Sequence, residues 1–138
     1  MTWEPRPVPP VSEDDEAAAY WEAASDGTLV VPECNDCGFV HFYPRRTCPE
    51  CLGNDVSFIE SEGTGTVYSF SVSQQAAGWP EDALPLIYAT VELAEGPRMV
   101  TNIVGADPED VSIGDEVEVQ FEETDVEDVA IPVFTPVE

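Results

Sequence analysis

Lysine does not occur anywhere in the 138 residues, and the basic side chains are only Arg6, Arg45, Arg46 and Arg98. So little positive charge argues against nucleic-acid binding, because gripping a phosphate backbone takes a basic stripe that releases counterions. Histidine is just as scarce, His41 being the only one. With one imidazole, no lysine and no cysteine outside two tight pairs, the usual nucleophile-and-base arrangements are nearly excluded, and no catalytic residue is assigned. Long apolar runs are missing as well: none approaches the ~20 residues that span a bilayer. The start shows no basic stretch followed by an apolar one, so no signal peptide is expected and a cytoplasmic location is.

Acid, by contrast, is abundant. Asp and Glu number 29, and the net charge is −25. They are spread through segments that also carry regular apolar alternation, unlike a disordered acidic tail. Mimicry of nucleic acid is a rarer explanation. Distributed acid with lysine stripped out fits a cytoplasm at molar salt, where screening shrinks to ~3 Å. A protein of an extreme halophile is the expectation.

The four cysteines form two pairs, Cys34/Cys37 and Cys48/Cys51, separated by ten residues. Each C-x2-C can place two sulfurs on one cation, and the intervening residues suit a hairpin that completes a tetrahedron. Structural zinc is the leading reading; iron in a rubredoxin-like site and two disulfides are the alternatives. Four thiolates leave zinc no open position for water, so such a site holds structure. Gly38 supplies a residue tolerant of left-handed backbone after the first pair. Leu52 stands at the corresponding place after the second.

Along the chain, residues 1–11 carry Pro5, Pro7, Pro9 and Pro10 and read as an extended arm. Residues 12–27 read as a helix, with Ser12 as cap, Tyr20 and Trp21 on one apolar stripe, and Gly27 at the end. Those two aromatics pack either on their own chain or on a partner subunit. Residues 28–54 form the ribbon, with strands at Leu29–Val31 and Phe39–Tyr43 flanking the first pair, and His41 as a strand residue. Arg45 and Arg46 either offset the anionic sulfur cluster or grip an anionic ligand. From residue 55 to 138 the pattern is β. Val56–Ile59 leads in, Gly63 and Gly65 flank a turn, and Tyr68, Phe70 and Val72 share one face. Further strands follow at Ile87–Leu93, Arg98–Val104, Val117–Phe121 and Val129–Phe134. Five short strands with glycines at the corners fit a small closed barrel, an OB-fold in particular. The segment Gln74–Pro85, with Trp79, is a long loop of the kind that carries recognition.

Taken in order, helix, four-cysteine ribbon and barrel resemble the acyl-CoA-associated zinc-ribbon/OB-fold proteins, a family long classed as a domain of unknown function. The resemblance rests on Tyr20-Trp21-Glu22, Gly27 to Val31, Cys34-x2-Cys37-Gly38, and Pro44-Arg45 before Cys48-Pro49-x-Cys51. To these it adds Gly63-x-Gly65-Thr66-Val67-Tyr68-Ser69, Val91-Glu92-Leu93-x-Glu95-Gly96-Pro97-Arg98, and Asn102-Ile103-Val104-Gly105 through Ile113-Gly114. It implies a mainly β chain whose Cys34, Cys37, Cys48 and Cys51 hold structural zinc. It also implies a non-catalytic subunit that docks on a thiolase-type enzyme, acetyl-CoA C-acyltransferase or a hydroxymethylglutaryl-CoA synthase assembly, and helps enclose acyl-CoA. Accessory roles to an acyl-CoA hydratase or aldolase come next, and a single-stranded nucleic-acid binder using Tyr68, Phe70 and Tyr88 last. Arg45 and Arg46 are the candidates for contact with CoA, and Tyr20, Trp21 and Trp79 for contact with a partner. Leu52 and the scarcity of basic residues depart from the family pattern, and the second puts direct phosphate gripping in doubt.

Overall fold

The computed structural model describes residues 18–74, 85–123 and 130–137. The proline-rich arm, the first residues of the expected helix and Trp79 lie outside the described residues. Helix α1 runs Ala18–Ser25 and ends at Gly27, whose φ of 82° reverses the chain. Tyr20 and Ala24, one turn apart, are its buried residues. No helix among the described residues is long and apolar enough to cross a membrane.

Two antiparallel sheets follow. The small one pairs β1 (Val30–Cys34) with β2 (Val56–Glu60), from Val30 opposite Glu60 to Cys34 opposite Val56. The ribbon's sheet is therefore completed by a strand that follows the second cysteine pair, and it extends beyond residue 54. The expected strand Phe39–Tyr43 is reduced to a single bridge, Val40 with Glu33. Pro32 explains the loss. His41 N–H donates to the Pro32 carbonyl at 3.0 Å, but proline has no N–H to return, and the ladder stops there.

The large sheet holds β3 (Thr64–Ser73), β4 (Leu86–Leu93), β5 (Arg98–Asn102), β6 (Glu116–Glu123) and β7 (Ala130–Pro136), in the order β5-β4-β3-β6-β7. A parallel bridge from Ile103 to Phe134, reinforced by Val104 N–H donating to the Phe134 carbonyl at 2.9 Å, brings the two ends together. The result is the near-closed five-stranded OB barrel the alternation predicts.

Two local expectations are corrected. A bulge between Val67 and Ser69 breaks the β3–β4 register, and the extra residue, Tyr68, swings to the outer face, where it is 49% exposed. Tyr68 thus parts from Phe70, which sits opposite buried Ala89 and packs on the core. Gly65 lies inside β3, not at a turn. A Cβ there would stand 2.6 Å from Val91 Cγ1 and 2.7 Å from the Glu92 carbonyl oxygen, so the residue lets two strands approach closely.

One apolar core runs through all three parts: Tyr20 from the helix, Leu29 and Val31 from the ribbon, and Val67, Val91, Val117 and Phe134 from the barrel. Glu95, in the β4–β5 turn, reinforces the junction. Its carboxylate accepts Ser61 Oγ–H at 2.6 Å and Glu62 N–H at 2.9 Å, bracing the chain where it passes from ribbon to barrel.

Candidate metal centre and apolar cleft

The two C-x2-C turns are built alike. Cys34 ends β1, and its carbonyl accepts Gly38 N–H at 2.8 Å; the Cys48 carbonyl accepts Leu52 N–H at 2.9 Å. This pairing curls each turn so that both of its sulfurs point the same way. The four sulfurs come together, all within 4.8 Å of one another. Cys34 Sγ lies 3.6 Å from Cys51 Sγ, and Cys37 Sγ 3.7 Å from Cys48 Sγ. A tetrahedron with Zn–S bonds of about 2.3 Å has S–S edges of about 3.8 Å, so the cluster has the size of a ZnS4 centre. The same spacing far exceeds the ~2.05 Å of a disulfide; all four cysteines are free. Backbone donors complete the fit: Glu50 N–H points to Cys48 Sγ and Gly53 N–H to Cys51 Sγ, each at 3.4 Å. N–H groups aimed at sulfur favour thiolate.

Proton equilibria agree with a cation holding the set together. Burial pushes the Cys48 thiol up, but backbone N–H groups of Cys51 and Glu50 and the sulfurs of Cys37 and Cys34 outweigh it, bringing it down to about 7. The Phe39 backbone lowers Cys37, yet burial and the three neighbouring sulfurs dominate and carry it up to about 12. One thiolate among four is comfortable; four need a divalent charge. The arrangement fits structural zinc, with Cys34 and Cys48 buried beneath exposed Cys37 and Cys51.

His41 stays out of the sulfur cluster, as expected. It is 4% exposed, stacks on Phe39 with ring centroids 6.2 Å apart, and sits with Nδ1 3.2 Å from the Tyr43 carbonyl. Desolvation lowers its pKa from 6.5; the Tyr43 hydrogen bond opposes and the Arg45 charge assists. Arg45 and Arg46 are both exposed, directly between Pro44 and the second cysteine pair.

A second feature escaped sequence reasoning. An apolar cleft of about 400 Å³ opens between α1, the segment after His41 and the barrel wall. Its lining is Tyr20, Trp21, Phe42, Tyr43, Pro44, Tyr88, Met99, Val100, Thr101, Asn102, Ile131 and Pro132, without a single charge. Tyr20 is buried, meeting Trp21 edge-on at 5.0 Å and Phe42 at 5.6 Å. Burial, with Tyr43 nearby, pushes its phenol well above the ordinary value. Trp21 is only half-buried, and Tyr43 is 51% exposed at the mouth. The signal available in the sequence was the aromatic pair Phe42-Tyr43 beside Pro44.

Comparison with known proteins places this architecture. The profile for the ChsH2 rubredoxin-like zinc ribbon matches residues 21–57, and that for the ChsH2 C-terminal OB-fold matches residues 58–122. A DUF35 domain-containing scaffold protein of Methanothermobacter thermautotrophicus is 38% identical over 67% of this chain and 71% of its own length. The chain belongs to the DUF35 family.

Other relatives extend the likeness. A probable enoyl-CoA hydratase alpha subunit of Thermomonospora curvata is 39% identical over 95% of this chain, which spans 40% of that relative's length. A solved structure described as "Ltp2-ChsH2(DUF35) aldolase" superposes with a TM-score of 0.80 at 37% identity, covering 94% of this chain and 98% of that one. A DUF35 protein of unknown function from Sulfolobus solfataricus, 12% identical, covers 90% of this chain and 87% of its own with a TM-score of 0.63, and shows the shared fold.

Proposed function

We propose that this chain is a non-catalytic subunit of an acyl-CoA hydratase or aldolase assembly. Zinc held by Cys34, Cys37, Cys48 and Cys51 fixes the ribbon against the barrel, and the resulting surface docks on the catalytic subunit and helps enclose acyl-CoA. The observation that carries this reading is the near full-length match, at 37% identity, to a chain of an aldolase whose description pairs Ltp2 with ChsH2(DUF35). Relatives described as hydratase alpha subunits and as scaffold proteins point the same way. None of these relatives is named for a thiolase, so the hydratase or aldolase partner replaces the thiolase-type partner ranked first from sequence.

In this reading the uncharged cleft, with Trp21 and Tyr43 at its mouth, faces the catalytic subunit. Arg45 and Arg46, exposed and next in sequence after the cleft residue Pro44, are the candidates for CoA contact. The nucleic-acid reading gains little from the described residues: Arg98 covers the Tyr68 ring at 3.9 Å, Phe70 packs on the core, and Tyr88 lines the cleft, so the three make no shared platform. The spread acidity suits multimolar salt, the condition in which assembly is to be tested.

The test compares the zinc-loaded chain, the catalytic subunit that co-purifies with it, and the two together, on enoyl-CoA hydration and on 3-hydroxyacyl-CoA cleavage. Turnover confined to the mixture or to the partner supports the proposal; turnover by the chain alone removes it. Within the assembly, Arg45→Ala with Arg46→Ala weakens CoA binding if these arginines touch the ligand, and leaves it unchanged if they serve only the sulfur cluster.

A further inference from the structure

Strand β3 is longer than the sheet that holds it. On one side it pairs with β4 all the way to Ser73 opposite Leu86, but on the other it pairs with β6 only at Thr64, Gly65 and Thr66. Val67 makes the last contacts on that side, exchanging hydrogen bonds with Asp115 and Gly114. From Ser69 to Val72 no described residue pairs with it there.

The direction of the free groups follows from the ladder. Ile87 accepts from Ile103 N–H, on the β5 side of β4. Leu86, Tyr88 and Thr90 therefore point to β3, where they meet Ser73, Ser71 and Ser69. That leaves the main-chain N–H and C=O of Phe70 and Val72 facing outward along an edge that no described residue covers. Val72 is 38% exposed, and Ser69 and Ser71 are exposed on the opposite face.

Proteins blunt such edges with charge, above all with lysine. This chain has net charge −25, yet no charged residue occurs between Glu62 and Glu81. This edge sits in the longest charge-free stretch of the chain. An edge left unguarded in this way is open to pairing with another chain.

We propose that Tyr68–Val72 receives an edge strand of the catalytic subunit, which extends the barrel sheet by main-chain pairing at Phe70 and Val72. This deepens the proposed function and rests on it. The incoming strand is uncharged, with an apolar face against Phe70 and Val72 and a small polar face beside the serines. A second copy of this chain is the competing occupant, and the concentration dependence of protection in the chain alone separates the two.

The test is amide hydrogen exchange of Phe70 and Val72 in the isolated full chain and in its assembly with the co-purifying acyl-CoA enzyme subunit. The proposal expects fast exchange alone and at least ~100-fold slowing in the assembly. Val72→Pro removes an outward N–H, a loss that edge strands tolerate. It should weaken assembly at least ~10-fold while zinc content and thermal unfolding stay unchanged. Assembly with exchange at both amides unaltered overturns the docking strand and leaves the accessory role standing. Protection that rises with concentration of the chain alone assigns the edge to self-pairing and overturns it too. No assembly at all removes both readings.

Discussion

Gly38 and Leu52 occupy equivalent places in the two cysteine turns: each N–H donates to a cysteine carbonyl four residues back, and their φ angles are 78° and 65°. Only glycine adopts that backbone without steric cost. Leucine gives up roughly 1–2 kcal/mol there, and its side chain, 74% exposed, regains little by burial. Leu52→Gly should therefore stabilise the zinc-loaded chain by about 1 kcal/mol, offset partly by the greater freedom of unfolded glycine. Thermal unfolding checks it; a lower midpoint would show that Leu52 makes a contact worth more than the strain.

Zinc removal should act on the fold as a whole, because Leu29 and Val31 of the ribbon share a core with the barrel. Structural zinc contributes on the order of 10 kcal/mol of apparent folding free energy, a large fraction of what any small domain possesses. A colourless protein with one zinc per chain is expected, losing cooperative unfolding on chelation. Cys34→Ala should bind no zinc. Visible absorbance with stoichiometric iron would replace zinc by the iron alternative.

Acid should destabilise through His41. Its folded pKa lies below the ordinary 6.5. As pH falls beneath that value the unfolded chain takes up a proton that the folded imidazole resists. Stability is thus full above about 6.5 and is lost as pH drops through the folded value. His41→Gln should flatten the unfolding midpoint between pH 7 and 5.5 relative to wild type. Parallel curves for the two proteins would contradict the assignment.

The Glu95 carboxylate braces the ribbon–barrel junction through Ser61 and Glu62. Glu95→Ala should cost about 1–3 kcal/mol, as for charge-assisted hydrogen bonds, and Ser61→Ala less. Denaturant unfolding of the two single variants and the double variant gives the coupling. Strict additivity would mean that the pair does not act as a unit.

Much of this was legible because local chemistry and tertiary structure agree. Cysteine spacing announced the metal centre, and alternation announced the barrel strands. What could not be read depends on partners distant in sequence. Nothing near Phe39–Tyr43 says that Pro32, across the ladder, lacks the N–H its pairing needs. Nothing in Val67-Tyr68-Ser69 marks a bulge, and Gly65 reads as a turn glycine until Val91 is placed against it. The cleft gathers Tyr20, Tyr43, Tyr88 and Pro132 from four separate segments, so no motif could have shown it.

The most direct measurement is the mass of the particle that carries this chain, taken by light scattering after tag purification at multimolar salt. The account predicts a hetero-oligomer in which an acyl-CoA hydratase or aldolase subunit and this chain stand in fixed ratio. A lone chain, or one assembled only with copies of itself, would contradict it.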